Sequence, residues 1–256
     1  VNRELVDKVV QAVLYEGYIL YPYRASSKKN QRERFTFGRV YPTTYSEAQN
    51  GLEPCSMQAE CLVRNESHDA SLEVDVRFLQ PLARETGEQL WLEAIEREVK
   101  LTPISLNAPV SCTRKFTFPS ARTIDGTTVR WNEMICGRIE LETQPVDQVV
   151  SKISVRILNG TPAPTDRSET QEEVIMRTFA STHTILHAAS GEFISLLDPD
   201  PQYEQAAKGC QNIGCWPVLV GDAGKNDRDA MLASPIILYD YPKIAAESPG
   251  ALFDST

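Results

Sequence analysis

Histidine is scarce in this 256-residue chain: His68, His183 and His187 are all it has. A metal centre built on imidazoles, or a histidine general base, can draw only on these three. The six cysteines never show the C-x2-C spacing of a zinc knuckle or a redox helix. Cys55 and Cys61 are spaced C-x5-C, Cys210 and Cys215 C-x4-C. Together with Cys112 and Cys136 they read as free thiols, small buried hydrophobes in a reducing compartment. The G-x-S-x-G nucleophile elbow is absent, and so is G-x-G-x-x-G. "VGDAGKND" offers a Gly-Lys without the full phosphate-loop spacing. No cofactor is expected. No apolar run approaches the roughly 20 residues that a bilayer-spanning helix needs. The opening "VNRELVDKVVQAVLYEG" lacks the basic-then-apolar order of a signal segment. The expectation is a cytoplasmic location, where the glycosylation patterns at Asn65 and Asn159 carry no meaning.

Positive charge is also short. Lys and Arg number 26 against 35 Asp and Glu, a net charge of −9. That balance opposes nucleic acid and anionic membranes, and no nucleic-acid motif is present. The shortage is uneven. From Arg24 to Arg39, six cations (Arg24, Lys28, Lys29, Arg32, Arg34, Arg39) face only Glu33, so this segment is +5 and the remainder −14. Tyr15, Tyr18, Tyr21 and Tyr23 stand just ahead of it. Rigid amphipathic rings beside bidentate cations are the composition of protein interfaces. Tyr18, Tyr21, Tyr23, Arg24, Lys28, Lys29 and Arg32 are therefore the candidate partner contacts. A solvated basic loop is the alternative.

Periodicity gives the fold. Leu5, Val6, Val9, Val10, Val13 and Leu14 make one apolar stripe, which predicts a helix over residues 3–16 with Gly17 as its stop. Residues 26–60 read as loop-rich, with "RFTFGRVY" alone alternating like a short strand. "SLEVDVRFLQ" sets Leu72, Val74, Val76 and Phe78 on one face and Glu73, Asp75 and Arg77 on the other, an antiparallel strand with one wet face. "LWLEAIEREVKL" fits a helix or a strand. Asp125-Gly126 is a strong hairpin signal. "CGRIELET" and "SKISVRILNGT" alternate too, the latter ending in an Asn159-Gly160 turn. Residues 159–173 are the best linker. Beyond them come "IMRTFASTHTILHAA", a Ser190-Gly191 turn and a short helix at "PQYEQAAKG". "WPVLVG" and "SPIILYDYP" read as buried strands. The expected fold is mainly β with some α, a β-sandwich-like core. The segments are an N-terminal helix with its loop-rich basic stretch (1–61), the core (62–160), and a smaller β or α+β region (172–256) that is allowed to be continuous with the core.

Chemistry is thinly marked. His183 and His187 lie four apart in "STHTILH", a spacing that gives one face on a helix or a strand. Two imidazoles with Glu192 or Asp198 as a third ligand make a metal site, and with it a metal-dependent enzyme or metallochaperone, the second reading. The bland reading is a hydrogen-bonded histidine at a strand edge, with His68 in a turn. Asp198 and Asp240 follow apolar runs, where strand ends hold both site residues and ordinary turn formers. A homo-oligomeric structural protein stitched by its tyrosine-rich segment is the third reading.

The words "LYEGYILYPYR", "KKNQRERFTFGRVYP", "YSEAQNGLEP", "STHTIL", "GEFISLLDP", "WPVLVGD" and "SPIILYDYPKIAAESPGALFD" resemble an uncharacterised protein family. Its genes lie beside those of uptake [NiFe]-hydrogenases, notably the high-affinity, actinobacterial-type clusters. The resemblance runs from about residue 12 to about residue 254. It implies an accessory, assembly or maturation role, with a hydrogenase subunit or another hydrogenase accessory protein as partner. Relatives continue past the "LFD" word, whereas this chain stops at Thr256. They often lack cysteine at positions such as Cys55 and Cys215, which argues against those thiols as obligatory ligands.

Overall fold

The computed structural model describes residues 3–19, 37–164 and 169–243, with backbone alone for 15–19. In chain order the elements are α1 (Arg3–Ile19), α2 (Thr43–Ala48), β1 (Ser56–Arg64), β2 (Ser71–Thr86), β3 (Gln89–Lys100), β4 (Ile104–Ser105), β5 (Ser111–Phe118), β6 (Ala121–Asp125), β7 (Thr128–Asn132), β8 (Ile135–Pro145) and β9 (Val150–Asn159). Then come α3 (Gln171–Val174), β10 (Ala180–Ala189), β11 (Glu192–Ile194), α4 (Glu204–Lys208), β12 (Trp216–Leu219) and β13 (Ala230–Ser234). The protein is mainly β, as the alternating segments indicate, with two antiparallel sheets, an N-terminal helix and short helices toward its C-terminal side.

The first sheet runs β11-β1-β9-β8-β5. The second runs β12-β13-β10-β2. β2 is long enough to change neighbours: β10 flanks it up to Leu79, and β7 takes that side from Ala83, with β3 opposite throughout. β10 thus pairs with β2 across the linker segment, so strands from both sides of that segment share one sheet and one core. Leu72, Val74, Val76 and Phe78 fill the space between the sheets, against Cys61, Val63, Ile139, Leu141, Ile153 and Val155. Phe78 stacks on Phe179 at 4.5 Å between ring centres, with Phe116 and Phe118 beside them.

The outer face of β2 is partly covered. α1 lies beside it, burying Val6, Val9, Val10 and Val13 against Ile185, Val220, Ala230 and Leu232. Each buried valine contributes roughly 1.5 kcal/mol or more, against a helix-propensity cost of at most about 0.7 kcal/mol. Packing decides this helix. The polar residues of β2 keep some contact with solvent and also pair: Arg77 with Asp7 of α1 at 3.0 Å, and Glu73 with Arg3 at 3.1 Å.

Other expectations shift. α1 runs through Gly17 to Ile19, because one glycine costs a helix only about 1 kcal/mol. β1 begins at Ser56, inside the stretch read as loop. "LWLEAIEREVKL" is strand β3, where its charges pair with β2 (Arg84–Glu93 at 2.9 Å, Arg77–Glu98 at 3.0 Å). Ser190-Gly191 turns the chain from the second sheet into the first, so no hairpin forms there. The last strand is "AMLAS", not "SPIILYDYP". It ends immediately before Pro235, which has no N–H to continue a ladder. The Asp125-Gly126 hairpin is present, with Gly126 at φ 57°.

Sheet edges are treated unequally. On β12, Leu219 N–H donates to Asp240 Oδ1 (2.8 Å) and Leu219 C=O accepts from Tyr241 N–H (2.8 Å). Alternation puts Pro217, which has no N–H, on the same free side. The exposed half of β1 is covered by Ile213, which exchanges two backbone bonds with Gln58. β11 is three residues long. β3 and β5 form the opposite side of the sandwich, where the Arg97 guanidinium lies 4.6 Å from the Phe118 ring centre.

Candidate functional site

A cleft of about 370 Å³ opens where the chain enters at Gly38–Tyr41. Val40 exchanges backbone bonds with Phe179, which ties this segment to the rim of the sandwich. Gly38 makes that approach feasible. It sits at φ +58°, and a Cβ there would lie 2.6 Å from Pro235 Cγ. Just beyond, the Tyr41 phenol is buried and accepts from Arg39 Nη1 (2.7 Å) and Gln171 Nε2 (2.9 Å). Gln171 Nε2 also donates to Glu53 Oε1 (3.2 Å). Tyr41 stacks on Tyr45, whose phenol is held above its usual range by burial and then by Glu53.

Met57, Pro54, Pro235 and Trp216 give the cleft its apolar lining. Trp216 opens β12 and is 45% exposed. An exposed tryptophan and two prolines in one cleft with a guanidinium, an amide and a carboxylate suit an extended peptide segment.

Of the candidate partner contacts, the Tyr18 side chain and all of Tyr21, Tyr23, Arg24, Lys28, Lys29 and Arg32 lie outside the described residues. That stretch rejoins the structure at Phe37, at the mouth of the cleft. Arg39, the last cation of the basic run, is in the cleft wall. Sequence reasoning missed Trp216 and Gln171. Trp216 reads as part of a continuous apolar run: it alone of β12 is exposed, and alternation does not separate it from the buried Val218 on the same face.

The metal candidates are brought to separate places. His183 and His187 share a face of β10, but four residues of strand separate their Cα atoms by about 13 Å. Glu192 is on β11, in the other sheet, opposite Arg64. Among the described residues no group of three His, Cys, Asp or Glu stands close enough to hold a metal ion. His183 is fully buried on the α1 side of its sheet, opposite Arg77. Its Nδ1 donates to Ser181 C=O (2.5 Å), and Nε2 has no partner. Burial lowers its pKa to about 4, against the weaker upward pull of that bond. His187 lines a 120 Å³ crevice under α1 and faces Asp229 at 3.5 Å. In the same crevice burial raises the Asp75 carboxyl, opposed by Lys100.

The thiols are equally committed. Burial pushes Cys215 up to about 12, and burial followed by Glu60 pushes Cys210 up to about 11. Both are protonated at neutral pH and poor nucleophiles. Ser195 Oγ donates to Asp240 (2.5 Å) and accepts from Leu197 and Asp198 N–H. A hydroxyl with its proton and both lone pairs engaged is a structural hub. Asp198 and Asp240 thereby sit at the turn that Ser195 ties together.

Compared with known proteins, this chain matches no protein-family model and no curated protein.

Proposed function

We propose that this protein works by binding, as a non-catalytic accessory, assembly or maturation factor for a [NiFe]-hydrogenase. The partner is a hydrogenase subunit or another accessory protein of the same system. The observation that carries the binding reading is the cleft at Gly38–Tyr41, which an exposed Trp216 and two prolines line together with Arg39, Gln171 and Glu53. It lies where the tyrosine-rich basic segment meets the fold. Trp and Arg at one site are the residue types that dominate interface energetics. The hydrogenase context comes from the family resemblance of the sequence words.

The test is co-purification with hydrogenase components. Arg24→Glu with Lys28→Glu cuts the basic segment from +5 to +1, and Trp216→Ala removes the exposed ring of the cleft. Both variants are expected to lose the hydrogenase component while keeping their far-ultraviolet circular dichroism. Undiminished recovery from both would refute the proposal.

A further inference from the structure

Among the described residues of this acidic protein, two adjacent cations without an ion pair coincide with an open sheet edge. β5 pairs with β8 on one side, and among the described residues nothing pairs with its other side. Alternate residues of an edge strand turn their N–H and C=O outward, a ready template for another strand. The far edges of both sheets are closed by Pro217, Asp240, Tyr241 and Ile213. β5 has none of these devices along its eight residues.

Its side chains select what binds. Ser111, Thr113, Lys115 and Thr117 are exposed on the solvent face, while Cys112, Phe116 and Phe118 turn toward the core. Arg114 is exposed at the rim of that inner face, opposite Ile139. Lys115 stands directly opposite Arg138. Like charges in that position are unfavourable. Arg138 is offset by Glu140 at 2.7 Å, whereas Arg114 and Lys115 make no ion pair among the described residues. Of the cations of β2 and β3, Arg77, Arg84 and Lys100 pair with carboxylates, and Arg97 donates to Gln80 Oε1 (2.8 Å). In a chain with 35 carboxylates, two adjacent cations on an open edge lack one.

We infer that β5 is a strand-addition site for an extended acidic segment of a partner protein, which joins the first sheet as its sixth strand. Backbone bonds supply the pairing. Two adjacent carboxylates on the incoming strand meet Arg114 on one face and Lys115 on the other, with an apolar residue beside Phe116. The same cations exclude a second copy of this chain. Antiparallel self-pairing of the β5 edges keeps like faces together, so the central registers set Arg114 against Arg114 or Lys115 against Lys115. The site is separate from the cleft and does not depend on which partner the cleft serves, so the two experiments fail independently.

The test uses the whole protein and a capped hexapeptide, Thr-Val-Glu-Glu-Thr-Val, with Thr-Val-Lys-Lys-Thr-Val as its counterpart. Hydrogen exchange at the amides of Ser111–Phe118 reports strand addition, and titration at low salt reports affinity. The acidic peptide is expected to protect those amides and the basic one not to. Arg114→Gln with Lys115→Gln should weaken binding roughly tenfold, as loss of two exposed pairs implies. Arg114→Glu with Lys115→Glu should transfer preference to the basic peptide. Both variants change exposed side chains, and the glutamine pair decides the matter if the charge reversal disturbs folding. Absence of protection at β5 would overturn the inference. Binding without that protection would overturn it too, because it would mean charge attraction with no added strand. Protection indifferent to the charge of the peptide would do the same.

Discussion

His183 is held neutral by its surroundings. The folded state keeps it near pKa 4, while an exposed imidazole titrates near 6.5. Above pH 6.5 neither state carries the proton and the residue adds no pH dependence. As pH falls from 6.5 toward 4, the unfolded chain takes up a proton that the folded one refuses. Stability drops through that window by roughly 3 kcal/mol and levels off below it. His183→Gln should therefore show a shallower loss of urea-unfolding stability between pH 7 and pH 4 than the parent protein. Identical slopes would mean that the imidazole is not buried as described. Asn159 acts in the opposite way, with every polar atom in use. Its Nδ2 donates to Val40 C=O and Arg177 C=O (2.8 Å each), and its Oδ1 accepts from Thr161 N–H (3.0 Å). Asn159→Ala removes one donor from Val40 C=O, which keeps Phe179 N–H, the amide donor to Arg177 C=O and the acceptor of Thr161 N–H, at a cost of about 2–4 kcal/mol. Chemical denaturation should show the midpoint fall accordingly. As a sequence feature Asn159-Gly160 looked like a turn. Nothing local distinguishes an asparagine that starts a turn from one that bridges three distant segments.

Single elements show where pattern suffices and where it does not. β2 was legible because its apolar residues alternate, and α1 because its valines recur every three to four residues. What covers the polar face of β2 was not legible. Glu73, Asp75 and Arg77 look the same in sequence whether they meet water or meet Arg3, Asp7 and Lys100. β3 was ambiguous for a related reason: Glu and Lys favour helices in isolation, but cross-strand pairing outweighs that preference here. β13 was misplaced by three apolar residues, Ile236, Ile237 and Leu238, that follow a proline. The candidate contacts of the basic segment lie outside the described residues. The cleft wall was missed because it joins Arg39, Gln171 and Trp216 from three distant stretches. Packing between β5 and β8 gives a sharper test. A Cβ on Gly137 would lie 2.6 Å from Leu158 O and 2.7 Å from the Phe116 ring. Gly137→Ala should cost about 1–3 kcal/mol through displacement of that ring, read as a lowered Tm. An unchanged Tm would show that the two strands separate more readily than their packing suggests.

For the whole molecule, the decisive pairing is β10 with β2. It joins residues on either side of the 159–173 segment into one sheet, so neither side owns a complete core. Unfolding should be a single event. Trp91 and Trp131 report from β3 and β7, Trp216 from the opposite edge, and far-ultraviolet circular dichroism from the sheets as a whole. Fluorescence and dichroism are expected to trace one coincident urea transition. Two resolved transitions would mean that the regions fold apart. No helix among the described residues is long and apolar enough to cross a membrane.

The far end of the first sheet has a further consequence for assembly. Growth of strands from molecule to molecule requires each unit to present two compatible edges on opposite sides. A strand added at β5 joins the first sheet, whose far end is the three-residue β11, with Ile213 covering the rest of β1. Growth through that sheet finds no long open edge to continue from. Edge-to-edge addition at β5 is thereby a terminating step within its own sheet.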